Sequence, residues 1–449
     1  MKQKRLKLQI IKCRCLLAPV RRLPPEVLIH IFEFFCPASE IASGISCPAV
    51  KLSHVCTLWR SLVRSTPVLW SSLEIQLWSS RLSLERIMLM LDEHLTRSRS
   101  SPLYLKVTIC KNNNISQSVI AALVSHSNRW KEAYLQLPSD ILHGEVFSSI
   151  RGNLSSLCTL EIRCDDDFSS DVFCIAPRLQ KLKLVQGGLR LKLPWHQIHD
   201  HTSRFCSLST AIQELALASE AKNVTVHRCR TREVPSETCP LIHNLHTLNI
   251  VVDKSDSDFC KWFRWLSLPN LTSLKISAWE SFLPKSCPAF HDIGSFLSRS
   301  SCTIISLSLV DIGLRDADAI ALVASIPSLA QLTIHERQGR RQNVTITAHF
   351  LRSLRVNHNK ATPSRSLLLK HMGTLDLQFH AELQYSELLV DMVESRWIPN
   401  PDYSSEIGVV CLNTVKLRII GNDDTNGLKV HQLYPLTLLK ASGLRLSLS

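Results

Sequence analysis

An apolar triplet with the spacing i, i+3, i+5 recurs along most of this 449-residue chain, and it constrains the fold more than any other feature. It reads as Leu157/Leu160/Ile162, Leu179/Leu182/Leu184, Ile212/Leu215/Leu217, Leu245/Leu248/Ile250, Leu271/Leu274/Ile276, Ile304/Leu307/Leu309, Leu329/Leu332/Ile334, Leu351/Leu354/Val356, Met372/Leu375/Leu377 and Leu412/Val415/Leu417. Trp70/Leu73/Ile75 and Trp130/Ala133/Leu135 fit as two more, with Leu103-x-Leu105 a degenerate one. Such a unit is a short strand whose i+3 and i+5 side chains point inward while i+2, i+4 and i+6 face solvent. One unit cannot bury its apolar face, so the units stack in parallel and the segments between them cross over on the far side. Helical periodicity in those segments is clearest over residues 84–95, 116–130, 317–326 and 387–397. The expected fold class is α/β, and over residues 71–443 an open, irregular solenoid with a parallel, strand-lined concave face. A globular domain of βαβ units is the alternative.

Residues 20–70 have a different character. Pro24-Pro25 puts proline at a helix start, where the missing N–H costs nothing, and Glu26 suits the first turn. Val27, Leu28, Ile31, Phe32, Phe34 and Phe35 follow at helical spacing up to Pro37. A second helix is expected from about Ala49 to Arg64, with Leu52, Val55, Cys56, Trp59, Leu62 and Val63 on one stripe. Two short helices with this much apolar surface need another surface to pack on, either a partner or the rest of the chain as a helical cap.

Leu23-Pro24-Pro25-Glu26-Val27-Leu28, then Val55-Cys56-Thr57-Leu58-Trp59-Arg60 and the closing Thr66-Pro67-Val68-Leu69-Trp70, resemble an F-box. The resemblance implies docking onto the Skp-type adaptor of a cullin-RING ubiquitin ligase, with Leu23, Pro24, Val27, Leu28, Ile31, Phe32, Val55 and Trp59 as adaptor contacts. The spacing between helices is long for an F-box, and a basic tail, residues 1–19, stands where relatives carry a helical stretch. Further along, Phe296-Leu297-Ser298-Arg299-Ser300-Ser301-Cys302, Ser325-Ile326-Pro327-Ser328-Leu329 and Met392-Val393-Glu394-Ser395-Arg396-Trp397 look like the large F-box plus leucine-rich-repeat families of mushroom-forming fungi.

Targeting signals are not evident: Lys12 and Arg14 interrupt the short apolar run after Lys7, and no window of about 18 uninterrupted apolar residues occurs. An intracellular chain is expected, its 16 cysteines scattered as reduced core residues and Cys13-x-Cys15 lacking a second pair for zinc. Phosphate-cradling glycine loops and nucleophile signatures are missing. Asp165-Asp166-Asp167 reads as a solvated loop and His196, His199 and His201 as loop histidines, so neither enzyme activity nor a cofactor is expected.

A net charge of +14 bears on partners. The solvent-facing strand positions hold Arg163, Lys181, Lys183, Lys275, Arg355, Lys416 and Arg418 against Glu161, Glu214 and Asp376, a face suited to an acidic or phosphorylated target. Nucleic acid fits less well, because exposed aromatics are not interleaved with the basic residues. The resulting expectation is a substrate-recognition subunit that holds a target near the transfer machinery. Its rivals are an F-box scaffold outside ubiquitination and a basic solenoid binding nucleic acid or acidic tails.

Overall fold

The computed structural model describes residues 19–41, 44–78, 82–163, 169–187, 190–229, 239–253, 259–279, 290–337, 343–358, 367–380, 386–420 and 433–449. The basic tail to residue 18, Cys13, Cys15 and the Asp165–Asp167 run lie outside them. The chain forms two compact units, residues 1–180 with 190–194, and residues 181–189 with 195–449.

The first unit opens with helix α1 (Pro25–Phe35), strands β1 (Ser39–Ile41) and β2 (Ile45–Ser46), and helices α2 (Pro48–Ser53) and α3 (Thr57–Ser65). Then strands β3 (Ser72–Leu77), β4 (Leu103–Ile109), β5 (Trp130–Gln136) and β6 (Thr159–Arg163) alternate with helices α4 (Leu84–Arg97), α5 (Asn114–Val124), α6 (Ser139–Leu142) and α7 (Glu145–Ser148). Strand order is β2-β1-β3-β4-β5-β6, parallel except for β2. Alternation is strict in β3, where Leu73, Ile75 and Leu77 are buried and Ser72, Glu74 and Gln76 are not.

The second unit contains strands β7 (Lys181–Val185), β8 (Asp200–Arg204), β9 (Asn223–His227), β10 (Leu241–Ile242), β11 (Thr247–Val252), β12 (Leu266–Ser267), β13 (Ser273–Ala278), β14 (Ser306–Val310), β15 (Gln331–His335), β16 (Thr374–His380), β17 (Thr414–Ile420) and β18 (Arg445–Leu448). Its helices are α8 (Leu208–Leu217), α9 (Phe290–Ser300), α10 (Asp316–Ala324), α11 (Ala348–Leu354), α12 (Ser386–Arg396), α13 (Pro401–Ile407) and α14 (Tyr434–Ala441). Apart from the β10/β12 pair, all strands lie parallel in sequence order, and the inward residues Leu182, His201, Val224, Leu248, Leu274, Leu307, Leu332, Leu375, Val415 and Leu446 stand in one register row. The chain is thus a mixed α/β protein in which N-terminal helices precede a long run of parallel strands with leucine-rich-repeat-like spacing.

Two of the ten expected strand units are helical instead. Ile212/Leu215/Leu217 lies in α8, where Ile212 and Leu215 are buried and Leu217 is exposed, because Ser207 caps the helix by accepting from Thr210 N. Leu351/Leu354/Val356 spans the end of α11, capped by Thr347 accepting from Phe350 N. The long second helix expected near the N-terminus is also two helices. Cys56 is extended at φ −160° and its Sγ accepts from Trp59 N at 3.5 Å, so α3 starts afresh there. Strands β1, β2, β8, β9, β10, β12 and β18 have no counterpart in the expected pattern.

Arginines fasten helices to neighbouring turns. Arg396, wholly buried, donates Nε to Leu354 O at 2.5 Å, Nη1 to Leu369 O at 2.9 Å and Nη2 to Leu368 O at 2.6 Å. Burial pushes its guanidinium down to about 10, so it stays charged at neutral pH. Arg299 holds Phe263 O and Leu266 O in the same way, and Arg129 holds Ser101 O and Ser98 Oγ in the first unit. Arg396→Leu orphans three carbonyl acceptors, each worth about 1–3 kcal/mol when buried and unpaired. The expected result is a melting temperature lowered by several degrees, read by differential scanning calorimetry, with Arg418→Leu on the exposed sheet face unchanged.

Candidate partner-binding surfaces

The N-terminal helices divide the expected contact residues into an inside and an outside. Pro24, at φ −58° and ψ 149°, starts α1 with Pro25 inside its first turn. From there the helix buries Leu28 and Phe32, and the Phe32 ring packs on Trp59 with centroids 4.7 Å apart. Pro24, Val27 and Ile31 are exposed, while Leu23 and Trp59 are half-buried. Val55 lies exposed in the break between α2 and α3 rather than on a helix. Leu28 and Phe32 therefore hold the module together from within. The exposed apolar surface runs beyond the contact residues expected from the resemblance: Phe34, from the same stripe, is 90% exposed, and Phe35 and Leu58 are exposed as well. Counted from residue 27, residues 31, 34 and 35 recur at i+4, i+7 and i+8, which places them along one side of α1, with Pro24 one turn before them at its cap.

Behind these helices Trp70 anchors the module. Its Nε1 donates to Val63 O at 2.9 Å, its ring meets the edge of His94, and the Arg97 guanidinium lies 4.7 Å from the ring centre. His94 Nδ1 donates to Met90 O at 2.9 Å, leaving Nε2 to face the Cys47 thiol at 3.5 Å. Burial holds this imidazole below its ordinary value. Unfolded histidine gains a proton near pH 6.5 while folded His94 stays neutral, so between those values the unfolded state binds more protons and stability rises with pH. The His94 contribution is complete above about pH 6.5 and shrinks as pH falls below it. Urea unfolding at about pH 5.5 and about pH 7.5 is expected to show a smaller pH difference for His94→Gln than for the wild type.

On the second unit's sheet the outward rows are mainly hydroxyl and amide. One row runs Lys183, Thr202, Thr225, Asn249, Lys275, Ser308, Thr333, Asp376, Lys416 and Ser447. Lys275 is four strands from both Lys183 and Lys416, about 19 Å at the usual spacing. Lys181 approaches Asp200 at 3.7 Å and Arg418 approaches Asp376 at 3.5 Å. Lys181 and Lys183 share β7, and Lys416 and Arg418 share β17, so these cations form two pairs with Lys275 between them rather than one cluster. Arg163 belongs to the first unit, at the end of β6. Arg355 is not on a strand at all: it caps α11 and lies 3.8 Å from Asp391. Glu214 is also misplaced by the strand pattern, being wholly buried on α8.

Glu214 instead meets His201 and Ser203 inside the second unit. Ser203 Oγ donates to Glu214 Oε2 at 2.6 Å, and His201 Nε2 lies 2.9 Å from Ser203 Oγ and 3.2 Å from Glu214 Oε2. A nucleophilic serine needs histidine between hydroxyl and acid, with the acid on the other ring nitrogen. Here one nitrogen meets both, and Ser203 is buried, so the trio is structural. His196 is exposed and His199 half-buried, so the three histidines do not converge, and no group of three His, Cys, Asp or Glu side chains among the described residues is placed to hold a metal. Among the same residues no helix is long and apolar enough to cross a membrane.

Residues 20–76 match the F-box-like family, a span that starts before α1 and ends within β3. No curated protein matches the chain. Among solved structures an internalin (inlF) from Listeria monocytogenes str. 4b F2365 is similar over 70% of this chain and 76% of its own, at 12% identity and a TM-score of 0.31.

Proposed function

We propose that the chain is a substrate-recognition subunit of a cullin-RING ubiquitin ligase, binding a Skp-type adaptor through residues 20–76 and a target protein through its parallel sheet. The observation that carries this reading is the exposed apolar side of α1 within the F-box-like region, where Val27, Ile31, Phe34 and Phe35 lie uncovered. Apolar side chains grouped this way mark an interaction site. A proline-started helix bound at one side fits the helix-in-groove mode, read through anchors at i, i+4 and i+7. The outward sheet face supplies hydroxyl, amide and cationic groups for a polar target, and rate enhancement comes from holding that target near the transferring subunits.

The test is affinity purification of the tagged full chain from cells with and without proteasome inhibition, followed by mass spectrometry. Adaptor and cullin are expected together with a target whose abundance rises on inhibition. Recovery of the adaptor with targets whose ubiquitination does not depend on the chain would favour the scaffold role instead. Recovery of neither would refute the reading.

A further inference from the structure

Between β8 and β9 the second unit departs from its own pattern in two independent ways. The inward positions that hold Leu182 and Leu184 on β7 hold His201 and Ser203 on β8. His201 Nδ1 and Glu214 Oε1 are buried there without a hydrogen-bond partner among the described residues. Polar groups buried and incompletely paired weaken a core, so this repeat is held less firmly than its apolar neighbours. Just past the ends of the same strands, Cys206 and Cys229, both buried, bring their sulfurs to 3.1 Å. Each follows a residue in the left-handed region, Phe205 at φ 56° and Arg228 at φ 54°, so both strand ends turn alike. Phe205 N donates to His227 O at 3.0 Å, which ties the two turns together.

We propose that Cys206 and Cys229 form a redox-responsive pair that closes to an intrachain disulfide and fastens the weak repeat spanning β8, α8 and β9. The oxidant is a small disulfide such as oxidised glutathione. One thiol, as thiolate, attacks a glutathione sulfur and releases glutathione thiolate, and the second then attacks the mixed disulfide and releases the other. Two protons leave the protein thiols and two reduced glutathione molecules form, so the pair loses two electrons and the oxidant gains them. The hydrogen bond with Cys229, and then burial, push the Cys206 thiol well above its ordinary value. Exchange therefore waits on opening of the repeat and is faster in mild denaturant. The bond closes a loop from 206 to 229, and constraining the unfolded chain in this way stabilises the fold.

The purified full chain is equilibrated in glutathione buffers from fully reduced to fully oxidised, blocked with N-ethylmaleimide and mapped by mass spectrometry without reduction. A peptide linking Cys206 to Cys229 is expected at the oxidised end, lost on adding dithiothreitol, with the oxidised chain melting several degrees higher than the reduced one. Cys206→Ala and Cys229→Ala are each expected to abolish the linked peptide and the rise in melting temperature. Where a variant fails to fold, the wild-type peptide map decides alone. Full alkylation of both residues, glutathione adducts only, or links to other cysteines would overturn the pair. A linked peptide with no rise in melting temperature would overturn its fastening role.

Discussion

Leu274→Asp is expected to unfold much of the second unit, while Lys275→Glu at the next residue leaves its stability unchanged within about 0.5 kcal/mol. Leu274 is wholly buried and stands in register with Leu248 on β11 and Leu307 on β14, so its side chain belongs to the continuous inward row. A carboxylate there has neither water nor a partner, and it removes an aliphatic group that two adjacent strands pack against. Each term costs about 2–5 kcal/mol, comparable with the whole stability of an ordinary domain. Lys275 points the other way, is exposed, and lies between Asn249 and Ser308. The measurement is circular dichroism and urea unfolding of both variants. Equal losses at positions 274 and 275 would remove the register on which the sheet description rests.

The inward row was legible in the sequence wherever it is made of Leu, Ile and Val on residues three and five places beyond a buried Leu, Ile or Met. It failed in two ways. The spacing i, i+3 belongs equally to a strand preceded by a buried turn and to one side of a helix, so Ile212/Leu215 and Leu351/Leu354 fit both periods. What separates them is capping chemistry: Ser207 and Thr347 stand three residues before the backbone N–H groups they accept from, a readable signal outweighed by the triplet. Strand β8 was illegible for the opposite reason. His201 and Ser203 occupy inward positions and break the apolar pattern, and only the fold brings Glu214 from α8 to meet them.

The same division governs the N-terminal module. Periodicity picked out Val27, Leu28, Ile31, Phe32, Phe34 and Phe35 as one apolar stripe, but a stripe of more than about 100° has an inner and an outer edge. Leu28 and Phe32 took the inner edge because Trp59 and the rest of the module lie against it, which leaves Val27 and Ile31 outside with Phe34 and Phe35. The basic residues show a related limit. Alternation placed Lys181, Lys183, Lys275, Lys416 and Arg418 on outward positions, yet how far apart they lie depends on strand order and on the strands that the pattern skipped.

Binding to a Skp-type adaptor is expected to fall at least about 100-fold in a Val27→Ala/Ile31→Ala double variant whose fold is intact. Both side chains are exposed, at 42% and 44%, so truncating them leaves no cavity within the module itself. If they seat in a partner groove, each loss there resembles a core truncation. Even about 1.4 kcal/mol at each of two sites gives that factor when additive. Leu28→Ala is the informative control. It removes a wholly buried side chain, so it is expected to lower the stability of the helices by about 2–5 kcal/mol and to weaken binding only through their unfolding. Titration calorimetry with recombinant adaptor, run beside circular dichroism, separates the two routes. A folded Val27→Ala/Ile31→Ala chain that binds the adaptor as tightly as wild type would show that this side of α1 is not the docking surface. A folded wild type that fails to bind would return residues 20–76 to the role of a helical cap on the first unit's own sheet, to which β1 already joins them through its parallel pairing with β3.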